Sequence, residues 1–83
     1  METLFLEDFL DDGIIKENLF RKKIDNYNWE KFSNKKVLIK GCAQVPIPTW
    51  AYLIITAKLT CYASSIFFGE SCSAIKIFKR SNS

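Results

Sequence analysis

The 83-residue sequence predicts an α/β fold: a small sheet of three to four strands that contains a right-handed parallel βαβ unit, with two main helices. Three observations predict it. Two short runs rich in β-branched and aromatic residues, "KKVLIKG" and "SSIFFG", each close on a glycine and read as strands. The stretch between them, "TWAYLIITAKLTCYA" at 49–63, is long and apolar enough for a crossover helix, and the whole spans the length of one βαβ unit. Upstream, "KENLFRKKIDNY" repeats its apolar residues at helical spacing.

The elements follow in order. Leu4, Leu6 and Phe9 in the opening segment fit either a short strand or a helical turn, and Asp11, Asp12 and Gly13 signal a turn after it. In the first helix Phe20, Ile24 and Tyr27 form the apolar stripe, Leu19 widens it, and Arg21, Lys22 and Lys23 face away. That helix should stop in "DNYNW", because Asn and Asp favour turns by bonding their own backbone. Trp29 and Phe32 then cover the core from a short turn. The second helix is apolar nearly all round, with only Thr49, Tyr52, Thr56 and Thr60 as a weaker polar stripe, so it is expected to be buried on more than one side. Pro48 suits its first turn and Thr49 can cap it. "ESCS" is a tight connection to a last strand, "AIKIFK", with Ile75 and Ile77 on one face. Residues 1–83 therefore read as a single α/β domain, with 79–83 as a frayed tail. No internal repeat or low-complexity segment is present.

Charge is unevenly spread. Residues 1–33 carry eight acidic and five basic side chains, whereas residues 34–83 carry one acidic, Glu70, and seven basic. The lysines are dispersed in sequence, and Lys76 and Lys79 look like the solvated charges of an edge strand. Nucleic acid is therefore not the expected partner. The start, with Glu2, Glu7 and Asp8, lacks the basic and apolar stretches of a secretory leader, and "WAYLIITAKL" is too short to cross a bilayer; a cytoplasmic protein with no membrane contact is expected. The three cysteines, Cys42, Cys61 and Cys72, do not suggest a disulfide framework. Histidine is absent, which removes Ser-His and Cys-His nucleophile pairs, histidine acid–base work and His-ligated metal.

A candidate site emerges from topology. The two strands of a parallel βαβ unit end on one edge of the sheet, so Gly41-Cys42 and Gly69-Glu70-Ser71-Cys72 should share it, at the edge where open α/β sheets bind ligands. The start of the second helix points there too, and its free amides favour an anion such as a thiolate. Pro46 and Pro48 stiffen the loop between. The candidate thiol pair is Cys42 and Cys72, with Gly41, Thr49, Tyr52, Glu70, Ser71 and Ser73 as neighbours. The competing reading makes both cysteines small apolar residues closing strand ends. Cys61 is expected to pack inside the second helix, and Trp50 to pack in the core rather than floor a pocket. Two thiolates fall short of the four ligands that zinc or an iron–sulfur cluster usually takes; a homodimer sharing the edge, or Glu70, would have to supply the rest.

"GIIKENLFRKKIDNYNWEKFSNKKV", "VPIPTWAY" and "FGESCSAIKIFK" together resemble an uncharacterised bacterial family, domain of unknown function 2480, found mainly in Bacteroidota. The matching positions are Gly41, Cys42, Pro48, Trp50, Ala51, Tyr52, Gly69, Glu70, Cys72 and Ser73. Members of that family hold two related units, so this chain looks like a single-unit, half-length version. The resemblance thus implies a homodimer or a protein partner in place of the second half. It also implies a setting near sulfur mobilisation and iron–sulfur cluster assembly. No residue role comes with it.

The expected function is a small, non-enzymatic accessory or binding protein with a two-cysteine site, linked to iron–sulfur assembly or sulfur handling. The ligand stays open among an iron–sulfur cluster, another metal, a persulfide and none. The alternative is a structural or interaction module, half of a homodimer or a small partner subunit, with purely structural cysteines. A thiol-dependent enzyme would have only Glu70 or Lys40 as base.

Overall fold

The computed structural model describes residues 1–41, 44–70 and 72–81. Its elements are β1 (Glu2–Phe5), a 3-10 turn (Leu6–Phe9), α1 (Glu17–Asn26), a second 3-10 turn (Trp29–Phe32), β2 (Lys36–Lys40), α2 (Thr49–Leu59), β3 (Ser65–Phe68) and β4 (Ile75–Lys79). They form the predicted α/β fold, a four-stranded mixed sheet in the order β1-β2-β3-β4. β1, β2 and β3 run parallel, and β4 is antiparallel to β3. The uncertain opening segment is both things in turn, a strand and then a helical turn. It therefore adds a second βαβ unit, β1-α1-β2, to the expected β2-α2-β3.

Register decides which side chains meet the helices. Leu4 pairs with Ile39, and Val37 pairs with Ile66. These four are buried and form one core with Leu6, Phe9, Phe20, Ile24, Trp29, Phe32, Ala51, Ile55 and Leu59. Both helices thus pack on the same face of the sheet. That follows when two crossovers of one hand advance in the same direction across a sheet. Aromatic rings fill the space under α1: Phe9 and Phe20 meet edge-on at 5.8 Å, and Tyr27 and Trp29 lie 4.8 Å apart. The indole of Trp29 donates to the Ile24 carbonyl at 2.8 Å, which satisfies its one polar atom inside the core.

Two expectations about α2 need correcting. It ends at Leu59 rather than at residue 63, and it is buried on one side only, through Ala51, Ile55 and Leu59. Leu53 is 64% exposed and Trp50 is 37% exposed, its ring edge-on to Phe20 at 5.5 Å. The sheet has helices on a single face, so no further layer exists to cover the outer side of α2. Cys61, expected inside this helix, is exposed in the turn that follows it. Pro48, not Thr49, takes the capping position, and among the described residues no side-chain capping bond forms there.

The far end of α2 is closed from a distance. Arg80 donates to the carbonyls of Thr60 at 3.0 Å and Ala63 at 3.2 Å, and its backbone N–H donates to Ser64 at 2.8 Å. A guanidinium suits the carbonyl-rich end of a helix. Lys79 is paired with Ser65, so the chain is held as far as Arg80. Among the described residues no peptide bond is cis, at Pro46 and Pro48 included, and no helix is long and apolar enough to cross a membrane.

Candidate functional site at the carboxyl edge of the sheet

β2 and β3 are direct neighbours, with Ile39 opposite Phe68, so their carboxyl ends emerge side by side. Pairing extends one step further: the N–H of Gly69 donates to the Ile39 carbonyl at 3.3 Å. Gly69 has a φ of +124°, which an L side chain rarely adopts, and a Cβ there would press on the Ser73 carbonyl at 3.3 Å. Glycine thus starts the turn that returns the chain as β4. Ser73 N–H donates to the Glu70 carbonyl at 2.9 Å and closes that turn. Cys72 lies on it, exposed, as does Ser73.

The first turn of α2 sits over the end of β2. Tyr52 reaches the rim: its ring meets Phe68 edge-on at 5.2 Å, and its hydroxyl lies where a Cβ on Gly41 would go. Gly41 is therefore needed for close approach rather than for an unusual φ. Thr49, also exposed, stands at the start of the same helix.

Lys40 and Glu70, each a possible base in the sequence, neutralise one another: Lys40 Nζ lies 3.1 Å from Glu70 Oε2. Both groups are open to solvent, so the pair contributes a few tenths of a kcal/mol, or about 1 at most, and serves mainly to orient the rim. The signal for this pair was present in the sequence. With Ile39 opposite Phe68, Lys40 falls opposite Gly69, and Glu70 is the next residue.

The structure thus brings Gly41, Tyr52, Glu70, Cys72 and Ser73 to one edge. Cys42 and Ser71 lie outside the described residues. Among the described residues no three of His, Cys, Asp and Glu gather into a metal-binding group. With Glu70 held by Lys40, the described donors do not fit a resident metal or cluster held by one chain.

A family model described as a protein of unknown function (DUF2480) matches residues 4–80. The chain belongs to this family. That match runs from β1 through Arg80, so the DUF2480 unit includes both βαβ units, the carboxyl rim and the residue that closes α2. No curated protein and no solved structure matches the chain. The DUF2480 description assigns no activity, so the chemistry of the rim has to carry a functional reading.

Proposed function

We propose that this protein is a small, non-enzymatic binding or accessory protein whose ligand site is the carboxyl rim, with Cys42 and Cys72 as sulfur ligands in iron–sulfur or sulfur handling. The supporting observation is the direct parallel pairing of β2 with β3, which places the residue before Cys42 and the turn bearing Cys72 at neighbouring strand ends. An exposed thiol there is open to an incoming metal or sulfane sulfur. The chain has no histidine, and among the described residues of the rim Lys40 and Glu70 are paired with one another, which supports binding over catalysis. A ligand set of four would need more than this chain, so a metal or cluster is cargo shared with a second protein, which fits an accessory role.

A second reading, an interaction module with purely structural cysteines, is favoured by the apolar side chains that α1 and α2 leave exposed: Leu19, Trp50 and Leu53. Anaerobic purification followed by iron, zinc and sulfide analysis separates the two. The thiol reading expects bound metal or sulfur that is lost in Cys42→Ser and in Cys72→Ser but kept in Cys61→Ser. It also expects Cys42 to be alkylated faster than Cys61, the exposed reference thiol. An empty protein whose three cysteines label at one slow rate leaves only the interaction module.

A further inference from the structure

Lysines that are scattered in the sequence gather on the side of the sheet away from the helices. Alternation along β2 sends Lys36, Leu38 and Lys40 to that side, beside Thr3 and Phe5 of β1 and Ser65 and Phe67 of β3. No helix covers it, but Leu38 and Ser65 at its centre are buried, so the accessible groups are the longer side chains around them. On β4, Lys76 and Lys79 are three residues apart, and regular alternation would put them on opposite faces. The strand does not alternate regularly. Lys79 pairs with Ser65, Phe78 with Ile66 and Lys76 with Phe67, which leaves Ile77 as an extra residue. Such a bulge re-aims side chains, and here it turns both lysines to the uncovered face.

Lys36, Lys76, Lys79 and Arg80 line a cleft of about 280 Å³ with Ser64 and Ser65, and no acidic side chain lines it. Among the described residues none of these four cations is in an ion pair. Arg80 is fixed there by its bonds to Thr60 and Ala63. An aromatic ring stands next to the cleft, with Lys76 Nζ 5.7 Å from the Phe67 ring. Further along the same face, at the other end of the strands, the Glu70-paired Lys40 Nζ lies 5.7 Å from the Phe5 ring. Phe5 is 40% exposed. Cations interleaved with rings on an open sheet can track a sugar–phosphate backbone and stack bases.

We propose that this uncovered face binds single-stranded nucleic acid, with backbone phosphates in the Lys36–Lys76–Lys79–Arg80 cleft and bases against Phe67 and Phe5. Charge complementarity selects the occupant. A second copy would set the same cations against one another, and a partner without π-faces would leave the rings unused. The phosphate cleft lies at the amino ends of β2 and β3, opposite the thiol rim, and of the groups invoked only Phe5, paired with Lys40, stands toward the rim. The inference uses neither cysteine, so it goes beyond the proposed function and does not rest on it.

Fluorescence anisotropy with a labelled oligothymidylate of about twelve nucleotides, within the range of site sizes for one small fold, tests the idea on the full chain. For three phosphate contacts, affinity should fall roughly twentyfold between about 50 and 200 mM salt, at a slope of about 0.7 per contact. Lys36→Gln, Lys76→Gln and Lys79→Gln should each weaken binding and flatten that slope. Phe67→Leu should weaken it about tenfold at unchanged slope, as expected for a lost stacking platform. Lys22→Gln, on the exposed side of α1, should change nothing, and circular dichroism confirms that each variant is folded. Three results would overturn the proposal: no binding at low salt, equal loss in Lys22→Gln, or equally tight binding of polyglutamate or inorganic phosphate, which would assign the face to an acidic protein or a free anion.

Discussion

At the scale of single residues, the rim depends on what is missing from Gly41. Its absent side chain is where the Tyr52 hydroxyl sits, with Tyr52 Cζ 3.3 Å from the position a Cβ would take. Gly41→Ala should therefore cost about 1 kcal/mol in urea unfolding, the low end for overpacking because the hydroxyl is the far end of a side chain. Tyr52→Phe, which removes that hydroxyl, should recover most of the loss; equal losses in both backgrounds would mean that the contact is not the cause. Glycine at the ends of β2 and β3 was legible in the sequence, and so was their shared edge. The mutual neutralisation of Lys40 and Glu70 was legible only once a register was assumed, because it depends on which residues face each other across two strands. Cys61 was not legible. Its exposure follows from the early end of α2, and that end is capped by Arg80, whose guanidinium bonds Thr60 from twenty residues away. A local pattern holds no trace of a cap brought in by another strand.

At the scale of elements, α2 is the instructive case. A helix apolar on all sides ordinarily lies in a core, and composition alone gave no reason to leave Leu53 in water. The reason is architectural: both crossovers lie on one face of a small sheet, so α2 has the sheet below it and nothing above. The buried side is set by spacing, with Ala51, Ile55 and Leu59 four residues apart. Thermal or urea unfolding should separate the faces sharply. Ile55→Ala, which empties a fully buried site, should cost about 2–5 kcal/mol. Leu53→Gln should change stability by no more than about 0.5 kcal/mol, as for an ordinary surface substitution. A large loss in Leu53→Gln would mean that the outer face of α2 is covered in solution. The first helix was easier to read, because its charged residues mark its outer side: Arg21 and Lys22 are exposed, and Phe20 and Ile24 are buried, although Lys23, expected to face away with them, is half-buried and turns to Asp11 and the Leu10 carbonyl.

At the scale of the whole molecule, the last described turn of chain ties two layers together. Arg80 joins the end of β4 to the end of α2, spanning sheet and helix layer. Arg80→Ala should lower stability by about 1–2 kcal/mol, the sum expected for lost hydrogen bonds to a charged group and a lost favourable helix-end charge. Arg80→Lys, which keeps the charge without the planar fork, should fall between wild type and Arg80→Ala in the same unfolding experiment. If the two variants unfold alike, the fork contributes nothing. The α/β class and the parallel unit were legible because periodicity and glycine placement are local. The gathering of Lys36, Lys76 and Lys79 was not, since it needs strand pairing and a one-residue bulge that no spacing rule shows.

The strand order repeats the order of the sequence, and that bears on how the protein is made. Each strand docks beside the one synthesised just before it, so the sheet can widen from one flank as the chain leaves the ribosome. No strand has to be inserted between two that are already joined. Loop closures stay modest, and modest closures favour rapid assembly. A nascent chain halted after Leu59 would hold β1, α1, β2 and α2, yet Ile66, which completes the floor beneath α2, would still be missing. Release of β3 is then the step at which the second helix finds its seat.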